Sequence, residues 1–272
     1  MPRLLLRIAL AGIALPTSGF AQQRLEYNAS QLNCARFLET VQASILTASA
    51  GRVREQTTGR TAVWQFRAEP AIQQVKLEGW LDSLELWRKS NEGTIRPDTD
   101  GLLGGRYRGL LSGAGSFQRQ VTPFVPEEVA EVADMGRALD EFFPPLPQAA
   151  IRPGQAWTDS SGLTVRRLAD SSMSGVALYR FELESRHRSR TARTSGDSAG
   201  LSLRQVAVER GRFVWHPLVG LLSRERRIVV ETAVPAGRTI RQPVNARIEQ
   251  RITVLRDLSV PPSESGRCPA SS

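Results

Sequence analysis

The sequence predicts a mainly β protein, a curved antiparallel sheet or two packed sheets, with one amphipathic helix at about 127–143 lying against it. Many segments rich in Val, Leu, Thr and aromatic residues recur between Gly, Pro and Asn, as strands and their turns do. Apolar residues in several of them alternate with polar ones, the period of a half-buried strand. Only one stretch carries a clear helical spacing together with a helix start and stop.

Residues 1–21 come first and set the context. Arg3 and Arg7 sit around a short apolar run that includes Leu4 to Leu6 and Ile8 to Leu15, followed by small residues around Phe20. That is the layout of a secretory signal cleaved near Ala21, and the run is shorter than the roughly 20 residues a membrane span needs. The expected location is therefore periplasmic or secreted, with residues 22–272 forming one β-rich domain. A division of that domain into halves, 22–122 and 148–260 joined by a helical segment 123–147, is also consistent with the pattern.

Ala35 to Ala48 reads two ways. Phe37, Val41 and Ile45 make a helical stripe capped by Asn33 and stopped by Gly51, while Thr40, Val41, Ile45 and Thr47 suit a strand. Arg52–Gln56 and Thr61–Arg67 flank Thr58-Gly59-Arg60, a plausible hairpin turn. Val75–Trp87 alternates until Trp80 breaks the pattern. Arg106–Leu111 and Ser116–Thr122 follow as strands. In the helix, Pro126 suits the first turn, Glu127, Glu128 and Glu131 suit the positive end of the dipole, and Val129, Val132, Leu139 and Phe142 or Phe143 recur at helical spacing before Pro144-Pro145. The remaining strand candidates are Leu163–Leu168, Ala177–Arg190, Leu201–Glu209, Arg212–Trp215, Ser223–Val234 and Val244–Leu255. A faint duplication aligns Thr94–Leu103 with Phe213–Leu222, each read as strand, turn and strand, with only Gly-Leu-Leu identical.

Composition narrows the partners. The chain carries a net charge of +9 from 36 basic residues, of which only Lys76 and Lys89 are lysines. Nucleic acid does not fit an exported chain; anionic lipid headgroups or acidic polysaccharide do. The two cysteines, Cys34 and Cys268, are expected to form a disulfide in an oxidising compartment, which constrains the unfolded chain by roughly 5 kcal/mol.

Catalytic chemistry finds little to stand on. Asp98-Thr99-Asp100-Gly101 resembles part of a calcium loop, but too few oxygens follow it, and an ordinary Asp/Gly turn is expected. His187 sits among arginines and His216 precedes a proline; no G-x-S-x-G, H-E-x-x-H or phosphate-binding glycine loop is present. No catalytic, metal or cofactor residue is therefore expected, and an exported hydrolase built around either histidine is kept as a third alternative. The sharpest polar signal is a row of arginines on one face of a strand: Arg186, Arg188 and Arg190, extended by Arg193. Such a row could grip an anionic partner, or pair with acids on neighbouring strands such as Glu209 or Glu231. Trp64, Trp80, Trp87, Trp157 and Trp215 suit core packing or the lining of an apolar pocket between sheet and helix.

The order Pro123-Phe124-Val125-Pro126, helix, Phe142-Phe143-Pro144-Pro145-Leu146-Pro147, then Gly154-Gln155-Ala156-Trp157, resembles uncharacterised exported bacterial β-rich proteins. At fold level the chain is also similar to periplasmic lipoprotein carriers and lipid-binding lipoproteins. Export, a β scaffold and the absence of catalytic constellations point to a non-enzymatic binding protein of the cell envelope, taking an apolar or anionic ligand between helix and sheet. The alternative is an interaction module that associates peripherally with the envelope through its arginine face.

Overall fold

A computed structural model describes residues 24–159, 161–195, 198–235 and 242–259; between 190 and 202 only backbone is described. The proposed signal, residues 1–21, and Cys268 lie outside the described residues.

The described residues form a single antiparallel sheet of thirteen strands. In chain order these are β1 (Arg36–Ser49), β2 (Arg52–Ala71), β3 (Gln74–Ser90), β4 (Gly93–Ile95), β5 (Tyr107–Ser112), β6 (Phe117–Val121), β7 (Ala156–Thr158), β8 (Thr164–Arg167), β9 (Ser171–Met173), β10 (Val176–Ser195), β11 (Ser198–His216), β12 (Gly220–Val234) and β13 (Val244–Arg256). The main path runs β6-β5-β3-β2-β1-β13-β12-β11-β10-β8-β7, with β4 on β3 and β9 on β10. N-terminal and C-terminal strands thus occupy opposite wings that meet at the β1·β13 pair. The mainly β expectation holds, as one large sheet that does not close into a barrel.

Several elements are longer than their sequence patterns suggest. Thr58-Gly59-Arg60 is no turn but the middle of the 20-residue β2. Gly59 is there to make room: a Cβ on it would lie 2.2 Å from the indole of Trp87 on β3. Gly211 continues β11 in the same way, its hypothetical Cβ 2.3 Å from the Glu225 carbonyl oxygen. β1 takes the strand reading, with Phe37, Glu39 and Val41 buried and Leu38 and Gln42 exposed. In β3 the buried positions run Val75, Leu77, Gly79, Leu81 and then Leu84, Leu86, because a bulge pairs Val63 with Ser83 and Trp64 with Leu81. Asp82 is the extra residue that switches the phase.

The expected helix at 127–143 is corrected. Only α2 (Glu127–Ala130) is α-helical, with one 3₁₀ turn at Met135–Arg137. The rest of 123–151 is an irregular strap laid across one face of the sheet. Its apolar residues Val129, Met135, Leu139, Phe142, Phe143 and Leu146 are buried. Arginines from the sheet take the place of helical hydrogen bonds: Arg88 donates to the Glu131 carbonyl at 3.2 Å, Arg119 to Gly136 at 2.6 Å and Arg224 to Phe142 at 3.0 Å.

Beneath the strap the core is aromatic. Phe142 packs edge-on to Phe37 at 5.5 Å, and Phe143 edge-on to Tyr27 at 5.3 Å. Trp64 and Trp215 are fully buried, and Phe181 stacks on Phe213 at 4.5 Å. The segment before β1, including the short α1 (Ala29–Leu32), closes one end of this core. Asn28 caps α1 by accepting from the Gln31 amide, Tyr27 donates its hydroxyl to the Pro144 carbonyl at 3.0 Å, and Arg256 donates to the Gln31 carbonyl at 2.8 Å.

The two segments proposed as a duplication adopt different local structure. Phe213–Leu222 is the end of β11, a turn and the start of β12, whereas Thr94–Leu103 passes from β4 through a loop into a 3₁₀ turn at Asp100–Leu102.

Candidate functional site

Antiparallel pairing sets side chains in rungs across the strap-bearing face. One rung runs Ala62, Glu39, Val254, Arg224, Phe213, Phe181, and the next Arg60, Val41, Ile252, Arg226, Gly211, Leu183. These two rungs bring charge under the strap. Glu39 is 3 % exposed and accepts from Arg60 at 2.8 Å and from the Trp64 indole at 2.9 Å. Arg226 grips Glu209 at 2.8 Å and also the strap's Glu141. Three carboxylates, Glu39, Glu209 and Glu141, thus face three guanidiniums, Arg60, Arg224 and Arg226. Glu39, Glu209, Arg60 and Arg226 keep 14 % or less of their side chains exposed and are paired, as a low-dielectric site requires, whereas Glu141 stands largely exposed at the rim.

The charges respond to that setting. Burial, helped by the repulsion of Arg226, lowers Arg224 to about 10. Burial acts to raise Glu141, but the charge and hydrogen bond of Arg226 outweigh it and hold the carboxyl below its ordinary value. Tyr107, buried beside this belt, is pushed up to about 12 by burial.

Beyond the belt the same face continues without its cover. The next three rungs place Ala43, Ile45 and Thr47 on β1 beside Gln250, Ile248 and Ala246 on β13. These in turn meet Ile228, Val230 and Thr232 on β12. Ala207 and Gln205 extend the last two rungs onto β11. On β1, β13 and β12 none of these side chains is charged, and they are half-buried or exposed. A cavity of about 420 Å³ lies at the strap's edge over Val41 and Ala43, and one of about 730 Å³ follows over Ile45 and Thr47, walled by β4. The two share no wall residue, and the second is also walled by the charged Arg54, Arg88 and Glu92; beside them the uncovered rungs of β1, β13 and β12 leave an open trough. On the strap's other side a cleft of about 890 Å³ lies over Arg226 and Ser185, between strap residues Phe143 and Leu146 and the C-terminal wing residues Trp157 and Leu163.

The opposite face is polar. Arg212 pairs with Glu225 at 2.8 Å, Arg210 with Glu184 at 3.0 Å, Arg227 with Glu249 at 3.0 Å and Arg247 with Glu231 at 3.3 Å. Arg186 and Arg188 are exposed here, opposite Val208 and Val206 on β11. Glu209, one of the acids expected to pair with this row, points instead to the strap side. The backbone places Arg190 and Arg193 further along β10; their side chains lie outside the description.

The other candidates fall apart from one another. His187 stands on the second open rung, opposite Ala207. His216 ends β11, nine residues and about 30 Å of strand away. Its Nδ1 accepts the Leu218 amide at 3.1 Å, and burial, with the charge of Arg256, lowers its pKa. Asp98 accepts the Asp100 amide at 2.9 Å and so makes an ordinary Asx turn. Cys34 is buried just before β1 with φ 59. Of the tryptophans, Trp64 and Trp215 are core, Trp87 covers Gly59, Trp80 lies under the Arg106 guanidinium at 4.1 Å, and Trp157 lines the cleft.

Sequence reasoning missed the belt and the open rungs. Their signal was present only in the strand register: uncharged inward positions at the distal ends of β1, β12 and β13.

No family model matches the chain, and no curated protein matches it by sequence. Among solved structures the chain is similar to one titled "Lipid-protein interactions in lipovitellin", with a TM-score of 0.46 and 12 % identity over 88 % of this chain and 26 % of the other. The chain spans about a quarter of the length of that neighbour.

Proposed function

We propose that the protein is an exported, non-enzymatic carrier of an apolar ligand, held in the trough over β1, β13 and β12 at the edge of the strap. One observation carries this reading. The core face of the sheet runs three rungs past its cover, and along its central strands those rungs stay free of charge in a chain in which 23 % of residues are charged. Uncovered aliphatic surface of this kind is favourable to remove from water, by about 25 cal/mol for each Å². Ile45, Ile248, Ile228 and Val230 supply that surface, while the Glu39–Arg60 pair at the head of the trough gives a polar stop. Export, cleavage near Ala21 and a Cys34–Cys268 bridge belong to the same proposal, and N-terminal sequencing with a thiol count on secreted protein tests them.

The ligand is tested by solvent extraction and mass spectrometry of protein purified from its native envelope, and by titration with a fluorescent fatty-acyl probe. The expected result is a copurified apolar molecule and saturable probe binding that Val230→Asp weakens about tenfold or more, since the substitution sets a charge in the middle of the trough. Finding no copurified molecule, together with equal probe binding by the variant, overturns the reading.

A further inference from the structure

On the outer face of the C-terminal wing some arginines are paired, whereas others, Arg166 and Arg180 among them, make no ion pair among the described residues. Over Arg210, Arg212, Arg227 and Arg247 every guanidinium has a carboxylate within 3.3 Å. Further along β10 and β11, Arg186, Arg188 and Arg204 are exposed and make no ion pair among the described residues. The residues opposite Arg186 and Arg188 are Val208 and Val206, so no acid stands beside them on β11. β10 is also the margin of the sheet there. Its partner β8 pairs with Phe181 to Glu184, and from Ser185 onward the strand has no neighbour on that side among the described residues.

We propose that this unpaired arginine zone docks the protein on an anionic lipid surface. The zone is cationic with aliphatic side chains between the cations, Val206 and Val208; the reverse side of the same strands is polar, with Ser185, His187 and Gln205 beside Ala207. Exposed cations with valines between them match the boundary between headgroups and acyl chains. A guanidinium can also take a phosphate through two parallel hydrogen bonds. An acidic protein would satisfy the cations but would leave the valines between them, Val206 and Val208, without a role.

The test is co-sedimentation of the full mature chain with vesicles of phosphatidylcholine alone and of phosphatidylcholine containing about one third phosphatidylglycerol, at low and high salt. The substitutions are Arg186→Glu and Arg188→Glu together; they keep the open edge charged, so the edge stays protected against strand pairing. Binding to the anionic vesicles only, weakened by salt and about tenfold or more weaker in the double variant, is the expected result. Equal binding to neutral vesicles, unchanged binding by the variant, or capture by soluble polyglutamate but not by vesicles each overturns the proposal; the last would mean an acidic macromolecular partner. If the double variant does not fold, the salt and lipid dependence of the unmodified chain still decides. Probe binding in the trough is measured on the same samples, and its presence or absence bears on the carrier reading alone.

Discussion

The rungs under the strap and the rungs beyond it belong to the same strands, yet they are built on opposite rules. Under the strap, Phe37 and Trp64 pack on Phe142, Phe66 packs on Phe142 and Phe143, and the buried Glu39 and Glu209 each have an arginine partner. Beyond it, Ile45, Ile248 and Val230 present aliphatic surface to open space. The strands themselves are continuous through both zones, so hydrogen bonding does not explain the contrast. What differs is whether a second layer exists. A sheet gains a dry core only where something is laid on it, and here the strap covers roughly half of each central strand.

That contrast can be broken most severely from the covered side. Trp64→Ala should destabilise the protein by about 3–5 kcal/mol, because it opens a cavity at the centre of the aromatic cluster and also removes the indole donor to Glu39. Urea midpoints measured by tryptophan fluorescence and by far-ultraviolet circular dichroism should fall together. Arg224→Met comes next, at about 1–3 kcal/mol, since the carbonyls of Glu141 and Phe142 lose their donor while the methionine still fills space. New protease cleavage within 131–143 is its specific sign, and an unchanged digestion pattern would show that the strap is held by its apolar residues alone. On the open side, Val230→Thr should change stability by less than about 0.5 kcal/mol, and a cost as large as that of a core truncation would mean the rungs are covered after all.

The smallest effect concerns pH. Glu141 has its pKa held below the ordinary carboxylate value of about 4.3, so its pairing with Arg226 contributes fully above that pH and is lost as acidification passes through the lowered value. Because the side chain is largely exposed, the contribution is below about 1 kcal/mol. Glu141→Gln should lower the urea midpoint slightly at pH 7 and remove the corresponding part of the decline between pH 5 and pH 3.

Much of the sheet could be read directly from the chain because strand period two is local: Tyr107–Ser112, Ser223–Val234 and Val244–Leu255 all lie where their alternation places them. The strap could not. Val129, Leu139 and Phe142 satisfy a helical spacing, but Asp134 leaves helical backbone, with φ −76 and ψ 78, and arginines from strands far away in sequence take the carbonyls that a helix would have used. Gly59 and Gly211 misled for a related reason. A glycine reads as a turn when only its neighbours in sequence are visible, whereas here its missing side chain is filled by Trp87 or by the backbone at Glu225. The arginine row on β10 was visible by alternation, but its lack of acids depended on β11 presenting Val206 and Val208 rather than Glu209.

The adjacency of β1 and β13 has one more consequence. Thirteen residue pairs join the earliest long strand to the last one, from Phe37–Arg256 to Ser49–Val244. A chain emerging from its N-terminus can therefore assemble either wing but cannot seal the seam between them until Arg256 is free. Until then two hydrogen-bonding edges stay open at what will become the middle of the molecule, and pairing across so long a separation is slow. Protecting those edges during biogenesis is a demand that the topology itself imposes.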